Sequence, residues 1–170
     1  KEQSYNFETN LNNNATHELQ NTIYGMQHIF NTPFIGKWQG FNSNLYCINN
    51  AFPHSFFVRI KRDFLEIAES LLEARKKLGS KYKWFSSCTS AYHDIINSTQ
   101  DPLVQVCKQT VQVNNDIDAF HNRIDDTRYI VIDYDDLCDN PLDIVRSLRD
   151  SYHNLFNFQI MYRNIQYIPK

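Results

Sequence analysis

The chain has 170 residues, and its 17 basic and 19 acidic residues give a formal net charge of -2. This length fits one domain (1–170) with a sizeable core, and the near-neutral charge gives no reason to expect nucleic acid as a partner. No apolar run approaches the roughly 18 residues of a membrane span and no signal peptide is recognisable, so we predict no membrane segment. Only four glycines occur, too few for a glycine-rich phosphate loop.

The cysteines and histidines carry no metal-binding pattern. The closest two of the four cysteines, Cys88 and Cys107, are 19 residues apart, so the chain has no CxxC pair and no zinc motif. We expect buried or half-buried free thiols in a reducing compartment, which favours the cytoplasm. The six histidines have no ligand spacing, and we predict no metal.

The first part of the chain predicts a helix and a short strand after a polar start. Residues 1–14 contain five asparagines and are predicted to be irregular. Apolar residues at helical spacing predict an amphipathic helix from Ala15 to Phe30. The short apolar segment Phe34–Trp38 is predicted to be a strand. Ser43 is then expected to cap a short helix that ends near Phe52.

The middle of the chain, Ser55 to Gly79, predicts a strand that leads directly into a helix. Ser55–Lys61 is apolar enough for a buried strand, and Arg62 follows it. Asp63 is the predicted N-cap of the helix, with Glu66 three residues later as in a capping box. Gly79 is the predicted C-terminal stop.

The second half predicts two further helices and one strand. Residues 80–100 are expected to be irregular and aromatic. Asp101-Pro102 predicts a helix start, and the helical pattern continues to Ile124. Tyr129–Ile132 is predicted to be a strand, and a last helix is expected to start at Asn140-Pro141 and reach Leu155. The tail 157–170 has no decisive pattern.

Short strands that alternate with helices predict an α/β fold with a mostly parallel sheet flanked by helices. In such folds, ligands bind beyond the carboxyl ends of the strands. Lys37, Arg62 and Tyr134 stand at the carboxyl ends of the three predicted strands. Taken one at a time, each is more simply explained as an exposed residue at a polar strand exit.

Arg62 and Ser70 are candidates for binding one phosphate. Ser70 is seven residues past Asp63, which is about 10 Å along a helix axis. A phosphate held by Arg62 and Ser70 would therefore lie along the side of the helix and not at its N-terminus. The alternative is that both are ordinary surface residues.

The segment Val58–Arg75, VRIKRDFLEIAESLLEAR, resembles the central motif of sulfotransferases that use 3′-phosphoadenosine 5′-phosphosulfate (PAPS). Lys37, Phe52-Pro53 and Arg62 follow the spacing of the tyrosylprotein sulfotransferases, and the pattern is closest to Golgi-type and bacterial members. Further landmarks occur in order over about 33–148: Trp84-Phe85-Ser86, Asp101-Pro102-Leu103 and Tyr134–Pro141.

The resemblance implies a P-loop NTPase-like fold and a role for each landmark. Arg62 and Ser70 would hold the 3′-phosphate of PAPS, and Lys37 would contact the sulfuryl group and assist the leaving phosphate. Tyr134 would lie near the nucleotide, and Arg75 would add positive charge about one turn past Ser70.

The chain departs from the family in three places. Phe64 stands where the family usually has a proline or glycine, directly after the Arg-Asp/Asn pair. The 5′-phosphosulfate loop has no counterpart between Lys1 and Phe30, so we expect it to precede Lys1. Gln39 stands where the cytosolic branch has its histidine base; of the upstream residues Glu8, His17 and Glu18, none is selected by a motif, and the base is left unassigned.

The sequence therefore predicts a sulfotransferase that moves a sulfuryl group from PAPS to the hydroxyl of a small molecule, a carbohydrate or a peptide. Two alternatives stay open. One is a P-loop nucleotide kinase or other phosphotransferase, which would need a Gly-x4-Gly-Lys-Ser/Thr loop. The other is a non-catalytic nucleotide-binding domain on the same scaffold.

Overall fold

A computed structural model describes residues 12–79 and 84–156 of the chain. Within these ranges the fold is α/β and mostly helical, with a single two-stranded sheet. None of the described helices is long and apolar enough to cross a membrane. The helices are α1 Asn13–Phe30, α2 Leu45–Ala51, α3 Phe64–Leu78, α4 Tyr92–Ser98, α5 Pro102–His121, α6 Tyr134–Asp139 and α7 Pro141–Phe156, and the strands are β1 Phe57–Lys61 and β2 Tyr129–Asp133.

The two strands pair in parallel, from Phe57 opposite Tyr129 to Lys61 opposite Asp133. The connection between them contains α3, α4 and α5, as a parallel crossover requires. Arg128, just before β2, fixes the start of β1, because its guanidinium donates to the backbone carbonyls of Ser55 and Pro53. The two strands therefore begin side by side.

The core lies between α5 and the elements packed on it. Val106 and Phe120 of α5 are fully buried. The Phe120 ring meets the rings of Phe57 and Tyr46 edge to face, with centroids 5.0 and 5.3 Å away. Burial of this aromatic cluster holds β1 and α2 against α5.

Most predicted elements are confirmed within a few residues. The helix predicted from Ala15 begins at Asn13, and the one predicted to reach Ile124 ends at His121. Gly79 ends α3 with φ 79°, a conformation that glycine adopts without steric cost. Asp101 caps α5 as expected, since its carboxylate accepts from the Leu103 N–H at 2.9 Å.

The predicted strand Phe34–Trp38 is wrong, because this segment has no regular secondary structure and pairs with no described strand. Its aromatic rings contact neighbouring backbone. Phe34 lies against Gly36, and the Trp38 ring is so close to Gly40 that a Cβ there would be 2.5 Å from it. These local contacts compete with pairing in a sheet, so the predicted mostly parallel sheet is only a parallel pair.

Two short helices were not predicted. Residues 80–100 were expected to be irregular, but Tyr92–Ser98 forms α4, with Ile95 buried. The strand exit at Tyr134 is the first residue of α6, whose N-cap is Asp133. Each helix spans fewer than two turns, too short for a clear helical period in the sequence. The tail 157–170 lies outside the described residues.

Candidate functional site

The two strands end side by side, and the residues that follow them are in contact. Lys61 and Asp133 form the last pair of the ladder, so Arg62 and Tyr134 come next on their strands. The Arg62 guanidinium carbon lies 4.8 Å from the centroid of the Tyr134 ring. This is a cation–π contact between two partly exposed side chains. We call Arg62 and Tyr134 the strand-end pair.

The N-terminus of α3 is already occupied by a carboxylate. Asp63 accepts hydrogen bonds from the N–H groups of Leu65 and Glu66 at 2.8 and 3.2 Å, which confirms Asp63 as the predicted N-cap. A helix N-terminus otherwise attracts anions. Because the Asp63 carboxylate takes this position, a phosphate near Arg62 is directed to the flank of α3.

Glu66 is the local partner of Arg62. The Arg62 Nε donates to Glu66 Oε2 at 2.7 Å, in an exposed i,i+4 ion pair. This hydrogen bond, followed by the charges of Glu66, Tyr134 and Asp135, raises the pKa of Arg62 against the opposing effect of desolvation. Glu66 engages Nε only, so the two terminal amino groups of the fork remain able to form a bidentate contact with a phosphate.

Tyr134 also has a partner one turn later on its helix. Interaction with the Cys138 thiol is the main cause that raises the pKa of Tyr134, with Arg62 acting in the opposite direction. Cys138 is exposed.

Ser70 lies on the same flank of α3 as Glu66. It is exposed and follows Glu66 by four residues, so the two side chains are neighbours on the helix surface. Arg62, Glu66 and Ser70 therefore follow one line along α3. Along this line, the Glu66 carboxylate lies between the Arg62 guanidinium and the Ser70 hydroxyl, the two groups that are expected to bind the phosphate.

Lys37 is exposed on the segment that precedes the 3₁₀ turn Gln39–Ser43. This turn is tied to the chain after residue 83, since the Ser87 hydroxyl donates to the Gln39 carbonyl at 3.0 Å. Lys37 is therefore two residues from Gln39, which this hydrogen bond holds in place. The sequence predicted that Lys37 ends a strand, but the segment that contains it is not paired with a described strand.

Arg75 is buried, with 5% of its surface exposed, and does not share the exposed flank of Ser70. Its terminal amino groups donate to Gln105 Oε1 at 2.9 Å and to Gln109 Oε1 at 2.7 Å. Its guanidinium carbon also lies 5.4 Å from the centroid of the Trp84 ring. In this structure Arg75 joins α3 to α5 and to the segment that begins at Trp84.

A cleft of about 300 Å³ runs along β1 and ends at Arg62. Six consecutive residues, Phe57 to Arg62, line it, together with side chains from α3, α5, the Gln39–Ser43 turn and the segment at Ser86–Ser87. Side chains of a strand alternate between its two faces. A cleft that touches six residues in a row therefore contacts both faces of β1, and at the start of the strands it also reaches Tyr129 of β2.

Sequence reasoning missed the partners Glu66 and Cys138 at the strand ends. Their i,i+4 spacing from Arg62 and Tyr134 was the available signal, once Tyr134 is known to begin a helix. Ser86, which the sequence marked only as part of the landmark Trp84-Phe85-Ser86, is a cleft residue with φ 72°, an uncommon conformation for a serine. No cluster of metal-ligating side chains occurs among residues 12–79 and 84–156.

Comparison of the chain with protein-family models, curated proteins and solved structures finds no match.

Proposed function

We propose that this protein is a PAPS-dependent sulfotransferase on a P-loop NTPase-like scaffold, in which β1, α3 and β2 form the part that binds the nucleotide. The observation that supports it best is the strand-end pair beside the Ser70 flank of α3. A guanidinium and an aromatic face meet there at the carboxyl edge of a parallel pair, where α/β folds bind their ligands, and the Ser70 hydroxyl follows along the flank of α3.

In this proposal the 3′-phosphate of PAPS bridges Arg62 and Ser70. The terminal amino groups of Arg62 would donate two parallel hydrogen bonds, and the Ser70 hydroxyl would donate a third. Tyr134 would keep the guanidinium in place through its ring face. Arg75 would act indirectly, since its bonds to Gln105 and Gln109 fix α3 relative to α5.

The chemical step is an in-line displacement at sulfur. The bond from sulfur to the 5′-phosphate oxygen breaks as a bond to the acceptor oxygen forms, and the acceptor proton passes to a base. The products are a sulfate ester and adenosine 3′,5′-bisphosphate. Lys37 would stabilise the charge that develops on the leaving phosphate oxygen. The step needs no metal.

Two measurements test the proposal. Adenosine 3′,5′-bisphosphate should raise the melting temperature of the protein, and Arg62→Ala should abolish the shift. Arg146→Ala is the matched control, because Arg146 is also exposed and forms a local ion pair, with Asp143 at 2.9 Å. Absence of a shift in the parent protein would overturn the proposal.

The second measurement is transfer of labelled sulfate from PAPS to a panel of phenols, sugars and tyrosyl peptides. Transfer that is lost in Lys37→Ala supports the enzyme. Nucleotide binding without transfer to any acceptor favours the non-catalytic binding domain. Transfer of labelled phosphate from ATP and Mg²⁺ instead favours the nucleotide kinase.

A further inference from the structure

The edge of β1 opposite β2 has no strand beside it within residues 12–79 and 84–156. Backbone N–H and C=O groups along a strand need hydrogen-bond partners when they are not fully hydrated. A lone pair of strands is also marginally stable. The free edge of β1 is therefore open to pairing with a third strand.

The segment Phe34–Trp38 is a candidate in the described chain. It has no regular secondary structure, its last residue Trp38 has extended backbone angles (φ -153°, ψ 136°), and its length matches the five residues of β1. It exposes apolar side chains strongly: Ile35 is 86% and Trp38 64% exposed. No backbone N–H of this segment donates a hydrogen bond to the described backbone, and Gln39, the next residue, lines the cleft.

We propose that Phe34–Trp38 is a strap that pairs with the free edge of β1 as a third strand and closes the cleft. The pairing would be parallel to β1, because the chain from Trp38 to Phe57 contains α2 and can serve as a crossover. The rings that now contact Gly36 and Gly40 would leave these positions, and the exposed apolar surface of the strap would be covered.

Closure has a consequence for Lys37. In a parallel pair the carboxyl ends of both strands meet at one edge, so the end of the strap would lie beside Lys61 and Arg62. The register that places Lys37 opposite Lys61 also places Phe34 opposite Val58. This would bring Lys37 to the strand-end pair, where the proposed function requires it; the pairing itself does not depend on that function.

A cysteine cross-link tests the pairing without any nucleotide. Phe34 and Val58 are 44% and 43% exposed, so Phe34→Cys and Val58→Cys should leave the fold intact. With Cys138→Ser as the background, this pair should form a disulfide under oxidised glutathione about tenfold faster than the control pair Phe34→Cys with Val131→Cys. Val131 is 47% exposed but lies on β2, on the other side of β1.

Equal rates for the two pairs, or no disulfide in either, would overturn the proposal. Hydrogen exchange on the unmodified protein is the second measurement and needs no variant. The amides of Phe34–Trp38 should exchange more slowly than those of an unstructured peptide, together with alternate amides of β1. Exchange of the strap at the unstructured rate would also overturn it. If the cross-link forms but the protein binds no adenosine 3′,5′-bisphosphate, the proposed pairing of the strap stands and the proposed sulfotransferase function is rejected.

Discussion

The Arg62 guanidinium carbon lies 4.8 Å from the centroid of the Tyr134 ring, across the carboxyl ends of two parallel strands. The two residues are far apart in the sequence and meet because the ladder ends at Lys61 and Asp133. The contact is exposed, and Arg62 is further held by Glu66, four positions later. The contact is therefore accessible at the ends of the two strands, and one of its partners is held by α3.

Glu66→Gln should bind adenosine 3′,5′-bisphosphate about two- to tenfold more tightly than the parent protein, because the change removes a carboxylate between Arg62 and Ser70. Isothermal titration calorimetry measures this directly. Glu69→Gln is the control, since it makes the same charge change on α3 at an exposed position off the Arg62 row. Equal gains in the two variants would mean that net charge alone is responsible.

Tyr134→Ala should weaken binding of the same nucleotide by about two- to fivefold, the value of an exposed cation–π contact. Tyr134→Phe should bind almost as well as the parent, because it keeps the ring face and loses only the hydroxyl. Titration of both variants separates the two parts of the side chain. A loss in Tyr134→Phe as large as in Tyr134→Ala would contradict the ring-face role.

Arg75→Ala should lower the free energy of unfolding by about 2–4 kcal/mol, since the buried oxygens of Gln105 and Gln109 lose their Arg75 donors. Urea unfolding followed by far-UV circular dichroism gives the value. Arg62→Ala, which removes an exposed ion pair, should change the same quantity much less. If Arg62→Ala lowered the free energy of unfolding more than Arg75→Ala, Arg62 and not Arg75 would have the larger structural role.

Asp125 should stabilise the fold in a pH-dependent way. Its carboxylate accepts from the Thr127 N–H at 2.9 Å and from the Thr127 hydroxyl at 2.8 Å, and these bonds lower the pKa of Asp125 below the ordinary value of 3.8. Because the folded state favours the charged form, the contribution is complete above pH 3.8 and is lost as the pH falls through the folded pKa.

The difference in urea midpoint between the parent protein and Asp125→Ala measures this contribution. The difference should be the same at pH 7 and pH 5 and should shrink at pH 3. A difference that grows in acid would mean that the hydrogen bonds to Thr127 do not favour the carboxylate.

Much of the fold could be predicted from local pattern. The N-cap Asp63, the C-terminal Gly79 and the Asp101-Pro102 start define α3 and the beginning of α5, because capping and proline geometry act over a few residues only. The strands β1 and β2 were predicted from their apolar runs. The strand-end residues Arg62 and Tyr134 followed from the ends of those runs, since ligands bind beyond the strands in this class of fold.

What the sequence by itself determined is therefore which residues begin and end most helices and which polar residues leave the two strands. The tertiary structure alone decided that Arg75 is interior while Ser70 is exposed, and that Phe34–Trp38 pairs with no described strand. Burial and strand pairing depend on partners distant in the chain, such as Gln105 and Gln109 for Arg75, and no local pattern specifies those partners. The contact of Arg62 with Tyr134 arises in the same way, from the register of two strands joined through three helices.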